Sequence, residues 1–386
     1  MPNDSVPSSE EKSRGSAANR AAPSGRYQLP SLSDRGALIR LAVIGLLVFM
    51  VVTSFAYVAG WLSPGLLTPA RFADGFEQVN GIHEGFRRNH AKGVCISGSF
   101  QSNGQATRLS RAAVFKTGTV PVIGRFSLAG GNPYVADGPL AVRGLGLSFR
   151  PARGQEWRTA MINLPVFPVG TPQAFYDQLF AMRPDPTTGQ PDPAKLKAFL
   201  AANPDVVAAR AIIGAHRFSS GFADSTFNGL NAFRFVNDAG DSTFVRWSMV
   251  PVDVFQPQDP SQPSNKDPNY LFDAFIERLH QGPLRWHLIV TVAQGGDPTD
   301  NASVPWPPDR QRLDAGTLTI DHIEAETRGG CRDINFDPLA LPSGISPSDD
   351  PLLSARSAVY SQSFTRRAGE KHSPGMVKVP GPGTGG

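Results

Sequence analysis

Four short stretches of this sequence of 386 residues decide its interpretation: RRNHAKG at 87–93, RFS at 125–127, NLPVF at 163–167 and DDPLLSARSAVY at 349–360. Each contains residue types that carry chemistry: a histidine, an arginine, an asparagine or a tyrosine. Taken singly, each stretch is weak, because one histidine near a strand is more often structural than catalytic. Their order and spacing along one chain make them informative.

The fourth stretch has a defined local geometry. Asp350 is a suitable N-cap and Pro351 a suitable first residue for a helix, which we predict over residues 351–367. On this helix Arg356 and Tyr360 lie one turn apart and share a face. A guanidinium beside a phenol favours the phenolate, which is a usable axial ligand for ferric haem. A simple surface hydrogen-bond pair is the alternative.

The rest of the folded region is rich in predicted strands. Apolar alternation and β-branched content predict strands at 94–100, 123–128, 140–150, 160–163, 233–237, 243–250, 288–293, 318–325 and 331–336. Helices are predicted at 172–182 with Thr171 as N-cap, at 193–202, at 206–213 and at 270–281. Many short strands and few helices predict an α+β fold, an antiparallel barrel with helices packed around it.

In their order, the four stretches resemble the catalase superfamily. The family pattern is Arg-x-x-His-Ala-Lys-Gly, Arg-Phe-Ser, Asn-x-Pro-Val-Phe and Arg-x-x-x-Tyr, and the intervening RGLGLSF at 143–149 is also similar to a family strand. The resemblance extends over residues 71–367. It implies a catalase-like, eight-stranded antiparallel β-barrel with surrounding helices that binds haem b.

The resemblance also implies roles for single residues. Tyr360 corresponds to the proximal ligand of the haem iron, and Arg356 to the arginine that keeps this ligand ionised. His90 corresponds to the distal catalytic histidine, and Asn163 to the distal asparagine. The remaining matches are Ser127, which orients the histidine, and Arg87 and Arg125, which hold the haem propionates.

These roles imply an enzyme that reduces hydrogen peroxide. A neutral His90 can accept a proton from peroxide and return it, while the Asn163 amide donates to the departing oxygen. Asn89 stands where catalases usually carry valine, and Pro168 stands where they carry a second phenylalanine. Only residues 361–386 follow the ligand helix tyrosine, which leaves no room for the C-terminal helical domain of ordinary catalases.

The departures favour a short catalase-related peroxidase that uses an organic electron donor and has weak catalase activity. They imply a polar and open distal pocket, whereas catalase turnover needs a narrow apolar one. Two alternatives remain. One is an allene oxide synthase-like rearrangement of fatty acid hydroperoxides, and the other is a haem-binding protein without turnover.

An apolar stretch near the N-terminus predicts a membrane helix. Residues 41–62 contain no charged side chain and, as a helix, span about 30 Å, so we predict a transmembrane helix at 37–62. Arg26, Arg35 and Arg40 precede the uncharged stretch, which predicts a single-pass protein of the bacterial inner membrane with its catalytic domain in the periplasm. A cleaved signal sequence is the alternative.

The flanking segments and the composition add limits. Residues 1–36 are predicted to be a disordered cytoplasmic tail and residues 368–386 a flexible tail. The net charge of +4 and the absence of a long basic run argue against nucleic-acid binding. By the resemblance, Cys95 lies on the first barrel strand and Cys331 on the last, so that a disulfide and two free thiols are both open.

Overall fold

The computed structural model describes residues 35–58, 62, 65–151, 154–258, 267–326 and 330–380. The chain divides into two compact units, residues 1–66 and 67–386. Residues 1–34 and 381–386, which belong to the two predicted tails, lie outside the described residues.

The first unit contains helix α1 (Arg35–Val58). It is long and apolar enough to cross a membrane, and its large side chains are exposed. An exposed apolar surface of this kind suits a lipid environment. A signal sequence near an N-terminus has the same features, so the helix is consistent with either prediction. Residues 59–61 of the predicted span lie outside the described part.

The second unit is built on one antiparallel sheet. Its strands are β1 (Gly93–Ser102), β2 (Gly118–Leu128), β3 (Arg143–Phe149), β4 (Trp157–Ile162), β5 (Phe227–Asn228), β6 (Phe233–Val236), β7 (Ser242–Pro251), β8 (Leu284–Val292), β9 (Arg312–Ala325) and β10 (Ile345–Pro347). The pairing runs β1-β2-β3-β4-β5-β7-β8-β9, and β9 pairs with β1. The sheet therefore closes on itself.

Strands β5 and β6 together occupy one position of this barrel. Both pair with the same edge of β7, β5 at Met249 and Ser248 and β6 further along at Val245 to Ser242. The free edge of β6 is covered by β10. The barrel thus has eight strand positions, and the predicted α+β class with an eight-stranded antiparallel barrel is confirmed.

Alternation along the strands separates the two faces of the barrel. Inward side chains form a packed aromatic core, in which the Phe149 and Trp157 rings stack at 4.8 Å and Trp247 meets Trp157 edge-on at 5.1 Å. The Trp247 indole N–H donates to Thr159 Oγ1, so this large polar ring is satisfied inside. The barrel interior is filled, which leaves the outward face of β2, β3 and β4 for a site.

Six helices belong to the second unit as described: α2 (Pro69–Asn80), α3 (Pro172–Ala181), α4 (Pro193–Ala202), α5 (Pro204–Ala215), α6 (Tyr270–His280) and α7 (Pro351–Ala368). The five predicted helices correspond to α3–α7. The predicted caps are present, since Thr171 Oγ1 accepts from Ala174 N and Asp350 Oδ1 accepts from Leu352 N. Helix α2 was not predicted; it packs against α3 and α7.

The predicted strand at 331–336 is wrong, because residues 330–333 form a turn and residues 334–336 have no regular secondary structure. The two cysteines nevertheless form a disulfide, between Cys95 on β1 and Cys331 in this turn. The last barrel strand, β9, pairs with β1 as the closed barrel requires, but it ends at Ala325, before Cys331. The turn is kept out of the sheet because its carbonyl groups are directed at Arg87.

The segment after α7 contacts the barrel unit, which differs from a flexible tail that begins at residue 368. The Glu370 carboxylate forms an ion pair with Arg88 and accepts from Gly85 N at 2.8 Å. Further along, Val377 is buried against the core. These contacts hold residue 370 to the loop that precedes β1 and residue 377 to the barrel core.

Candidate functional site

A cavity lies between the outward face of β2–β4 and helix α7, and its empty space of about 1230 Å³ is partly open to solvent. Small residues on the barrel side keep it open. A Cβ on Gly144 would come within 2.8 Å of His90 Nδ1, and one on Gly146 within 2.8 Å of the Phe336 ring. Helices α2 and α3 close one side with aromatic rings, among them Phe72 and Phe175 stacked at 5.7 Å.

Helix α7 brings the predicted pair to the cavity. The Arg356 guanidinium donates through Nη2 to the Tyr360 hydroxyl at 3.4 Å and to the carbonyl of Ala160 on β4 at 3.0 Å. The second contact ties the helix to the barrel. Because Arg356 cannot turn away while this bond holds, its positive charge stays beside the phenol oxygen.

A buried chain of hydrogen bonds continues from Arg356. Its Nη1 donates to Asn231 Oδ1 at 2.5 Å, and Asn231 Nδ2 donates to Asp350 Oδ2 at 2.7 Å. Burial raises the pKa of Asp350, although Asn231, Leu352 N and Arg356 act in the opposite direction. The N-cap of α7 is therefore linked through Asn231 to the arginine that holds Tyr360.

His90 enters the cavity from the barrel side. Its Nδ1 lies 3.0 Å from Ser127 Oγ, which fixes the plane of the ring. Its backbone is in the left-handed region, with φ 56°. Arg125 donates to the carbonyls of His90 at 2.8 Å and Ala91 at 3.1 Å, so the backbone after the histidine is clamped.

The surroundings keep His90 neutral. Burial lowers its pKa from 6.5 to about 3, and the positive charges of Arg125, Arg356 and Arg87 act in the same direction. A histidine with this pKa carries no charge near neutral pH. It can therefore accept a proton from a molecule in the cavity.

Three arginines at one edge of the cavity form an anion site. Arg87 Nη2 donates to the carbonyls of Cys331, Arg332 and Ile334 at 3.1, 3.2 and 3.2 Å, while its buried Nε has no hydrogen-bond partner. Arg367 Nη2 is also buried and without a hydrogen-bond partner. Burial lowers the pKa of Arg367 to about 10, so it remains charged near neutral pH.

Arg125 is paired more closely with a carboxylate than Arg87, whose Nε lies 3.8 Å from Glu326 Oε1. Its Nε and Nη2 bind the Glu326 carboxylate at 2.9 and 2.8 Å, and its other contacts are the two carbonyls beside His90. Burial acts to raise the pKa of Glu326, but Arg125 and Arg87 together lower it. Three guanidinium groups and one carboxylate leave an excess of two positive charges at this edge.

The residues present fit haem. A flat group can lie against the small residues of the barrel face, and the two unsatisfied arginine donors and the two excess charges match a pair of propionates. Tyr360 supplies an oxygen ligand that a ferric haem can use. The fit rests on buried polar groups that lack partners within the protein.

Asn163 is the one predicted site residue that does not line the cavity. Its Oδ1 accepts from Arg143 N at 2.8 Å and its own N–H donates to the Arg143 carbonyl at 3.0 Å. Within the described residues, Asn163 Nδ2, the group predicted to donate to the departing oxygen, has no hydrogen-bond partner, so that role stays a prediction. The asparagines that line the cavity wall are Asn89, Asn228 and Asn335.

Sequence reasoning missed several residues of the site. Arg367 lies seven positions after Tyr360, which is two turns along the same helix face, so this spacing could have revealed it. Glu326, Asn228 and Asn231 carry no comparable local signal. Asn228 lines the cavity from β5, whereas Glu326 and Asn231 act on it through Arg125 and Arg356.

Comparisons with known proteins agree with this geometry. Residues 59–380 match the family model described as Catalase. The chain is 39% identical over 308 residues to a catalase-related peroxidase of Synechococcus elongatus, and the aligned region covers 80% of this chain and 91% of the relative. It is 35% identical over 306 residues to a catalase-related peroxidase of Mycolicibacterium paratuberculosis, which covers 79% of this chain and 96% of the relative.

Solved structures of catalases share the fold. A fungal catalase superposes with a TM-score of 0.67 at 18% identity, covering 79% of this chain and 63% of that chain. Catalase A from Saccharomyces cerevisiae gives a TM-score of 0.67 at 19% identity, covering 79% of this chain and 65% of that chain. The chain therefore spans less than two thirds of these catalases.

Proposed function

This chain belongs to the catalase family and is a catalase-type haem peroxidase, and we propose that it reduces hydrogen peroxide or an organic peroxide with an organic electron donor. The observation that carries the proposal is one cavity with a neutral histidine on the barrel side and an arginine-paired tyrosine on α7. Weak catalase activity is part of the same proposal.

Four residues would hold haem b in this cavity. Tyr360 would bind the iron, with Arg356 stabilising its phenolate, and Arg87 and Arg367 would bind the propionates through their unsatisfied donors. Arg125 would serve mainly to hold Glu326 and the backbone around His90. When bound, haem supplies the iron at which the peroxide O–O bond is reduced.

His90 would move the proton that peroxide reduction requires. The tautomer with hydrogen on Nδ1 donates to Ser127 Oγ and leaves the Nε2 lone pair for peroxide. Nε2 would take a proton from one peroxide oxygen and return it to the other, which leaves as water. Asn163 enters this proposal as an anchor between β3 and β4, because its Oδ1 is bound to Arg143 N.

The aromatic side of the cavity supports an organic donor. Phe72, Phe76 and Phe175 contact one another at 5.5 to 6.1 Å between ring centroids and line the cavity from α2 and α3. Apolar walls of this kind bind organic molecules in preference to water. We infer that the reducing substrate is an organic molecule that approaches from this side.

Absorption spectra and peroxide kinetics of the purified haem-loaded chain test the proposal. His90→Gln should keep haem and lose about 100-fold or more in the rate of reaction with peroxide. Tyr360→Phe should change the ligand-sensitive bands of the spectrum. His322→Gln and Tyr134→Phe, at exposed positions outside the cavity, are the matched controls.

Two outcomes would contradict the proposal. An unchanged absorption spectrum for Tyr360→Phe would show that Tyr360 is not the ligand of the haem iron. Conversion of a fatty acid hydroperoxide without consumption of a reducing substrate would favour a rearrangement of the allene oxide synthase type instead.

We also propose that α1 anchors the chain in a bacterial inner membrane with the haem domain in the periplasm. Arg35 and Arg40 lie at the end of α1 that would remain in the cytoplasm. The disulfide supports an oxidising compartment.

Leu47→Arg in the middle of α1 should release the protein from membranes, because a charged side chain at the centre of a membrane helix costs about 2.5–3.5 kcal/mol or more. A mature N-terminus beyond residue 58 would instead show a cleaved signal sequence.

A further inference from the structure

His90 adopts a backbone conformation that histidine rarely takes. Its φ is 56°, and among the described residues it shares a positive φ only with Leu230 and with glycines. In this region the Cβ atom approaches the following carbonyl, so a residue remains there only when its surroundings hold it. The conformation directs the imidazole toward Ser127 and the cavity.

The side chain of Asn89 holds the peptide on the N-terminal side of His90. Asn89 Oδ1 accepts from His90 N at 3.0 Å and from Gly130 N at 2.8 Å. The Gly130 carbonyl in turn accepts from Ala91 N at 2.9 Å. A single amide oxygen thus joins the histidine loop to the loop after β2, on the side opposite to the Arg125 clamp.

We propose that Asn89 is a positioning residue for His90, acting through the two hydrogen bonds that its Oδ1 accepts. The proposal rests on the proposed role of His90 as the proton acceptor. The Oδ1 atom of Asn89 is engaged by the backbone and is not offered to a substrate, although the side chain also lines the cavity.

The chemistry of this position restricts which residues can do the same work. The side chain must present an acceptor that reaches two backbone N–H groups at once. Aspartate has such an oxygen, whereas valine has none and the serine hydroxyl is too short to reach both. Asn89→Asp and Asn89→Val therefore separate the acceptor from the rest of the side chain.

The first measurement is amide hydrogen exchange in the full-length chain without haem. In Asn89→Val, exchange at His90 N and Gly130 N should become about 10- to 100-fold faster, as expected for the loss of two hydrogen bonds. Asn89→Asp should stay within about 3-fold of the original chain. Asn237→Val is the matched control, since Asn237 Oδ1 accepts from Asp241 N in the turn between β6 and β7.

The second measurement is the cyanide affinity of the haem-loaded ferric protein, because bound cyanide leaves its proton to a distal base. Asn89→Val should weaken cyanide binding by about 10-fold, while Asn89→Asp and Asn237→Val should change it by less than about 3-fold. His90→Gln gives the cyanide affinity that is expected when the distal base is lost completely. This affinity depends on where the imidazole lies, so a variant that is only less stable would not change it.

The outcomes are separable. Unchanged exchange and cyanide affinity in Asn89→Val would overturn the proposal. Loss of cyanide affinity in both variants, with exchange preserved in Asn89→Asp, would assign the effect to the amide nitrogen and also overturn it. If Asn89→Val does not fold, Asn89→Ser should show the same losses. Failure of the proposed peroxidase function would leave the exchange result standing, because exchange is measured without haem.

Discussion

At the scale of single residues, burial decides the protonation state of His90. A histidine whose pKa is about 3 stays neutral through the whole range in which an ordinary histidine titrates. Between pH 6.5 and 3 the unfolded chain therefore binds a proton that the folded chain does not. The contribution of the neutral His90 to the free energy of unfolding is therefore complete above pH 6.5 and is lost as the pH falls toward 3.

We therefore predict that the ring protons of His90 show no titration between pH 5 and 8. The measurement is an NMR titration of the full chain without haem, with the His90 signals assigned by their disappearance in His90→Gln. An inflection near pH 6.5 would contradict the burial of the imidazole beside Arg125.

A second prediction at this scale concerns the anion site. Arg367→Gln removes a buried donor without a protein partner and should weaken haem binding by about 10-fold, as expected for one charged hydrogen bond. The neighbouring Arg366→Gln is the control, because Arg366 is paired with Asp74 and Glu77 outside the cavity wall. Haem titration followed by absorbance measures both. Equal losses in the two variants would assign the effect to helix α7 as a whole.

At the scale of elements, α7 combines a structural cap with the ligand. Asp350 caps the helix and also accepts from Asn231, which accepts from Arg356. The start of the helix is thus connected to its central turn through a residue of the β5–β6 loop. A substitution in that loop should therefore change the position of Arg356 beside Tyr360.

Asn231→Ala tests this connection. It leaves Arg356 and the buried Asp350 without their common partner, so the free energy of unfolding should fall by about 1–3 kcal/mol. The tyrosine-sensitive bands of the haem spectrum should shift as well. Denaturant unfolding and absorption spectra measure the two effects, with Asn237→Ala as a control at an exposed turn. A loss of stability with an unchanged spectrum would show that Asn231 supports the N-cap of α7 but does not influence Tyr360.

At the scale of the whole molecule, the disulfide joins the first barrel strand, β1, to the turn that follows β9. Cys95 and Cys331 are 236 positions apart, and the turn at Cys331 offers its carbonyls to Arg87. The covalent link therefore supports both the closure of β1 on β9 and one arginine of the anion site.

Replacing both cysteines by serine should lower the free energy of unfolding by about 2–5 kcal/mol. Haem binding should also weaken, because the turn that holds Arg87 is released. Denaturant unfolding and haem titration measure these effects, and the original chain treated with a reductant is the comparison. Unchanged haem affinity in the double variant would show that the turn keeps its shape without the link.

Much of the fold was predictable from local signals. The caps at Thr171 and Asp350 and the one-turn spacing of Arg356 and Tyr360 depend on neighbours within four residues. Strand alternation and the β6–β7 hairpin are similarly local. The wrong strand at 331–336 has another cause, because contacts with Arg87 and Cys95 decide its conformation. The missed helix α2 carries a local signal of the same kind, since Thr68 caps it and Pro69 begins it.

The sequence by itself determined the antiparallel barrel class, the family and the chemical identity of the site, because ordered motifs and short-range periodicity carry that information. Only the tertiary structure decided how the site is used. It turned Asn163 toward Arg143, engaged Arg125 with Glu326 201 positions away, and left donors on Arg87 and Arg367 unsatisfied. It also made His90 neutral by burial. These outcomes depend on partners that are distant in sequence and on exclusion of water, which exist only once the barrel has closed.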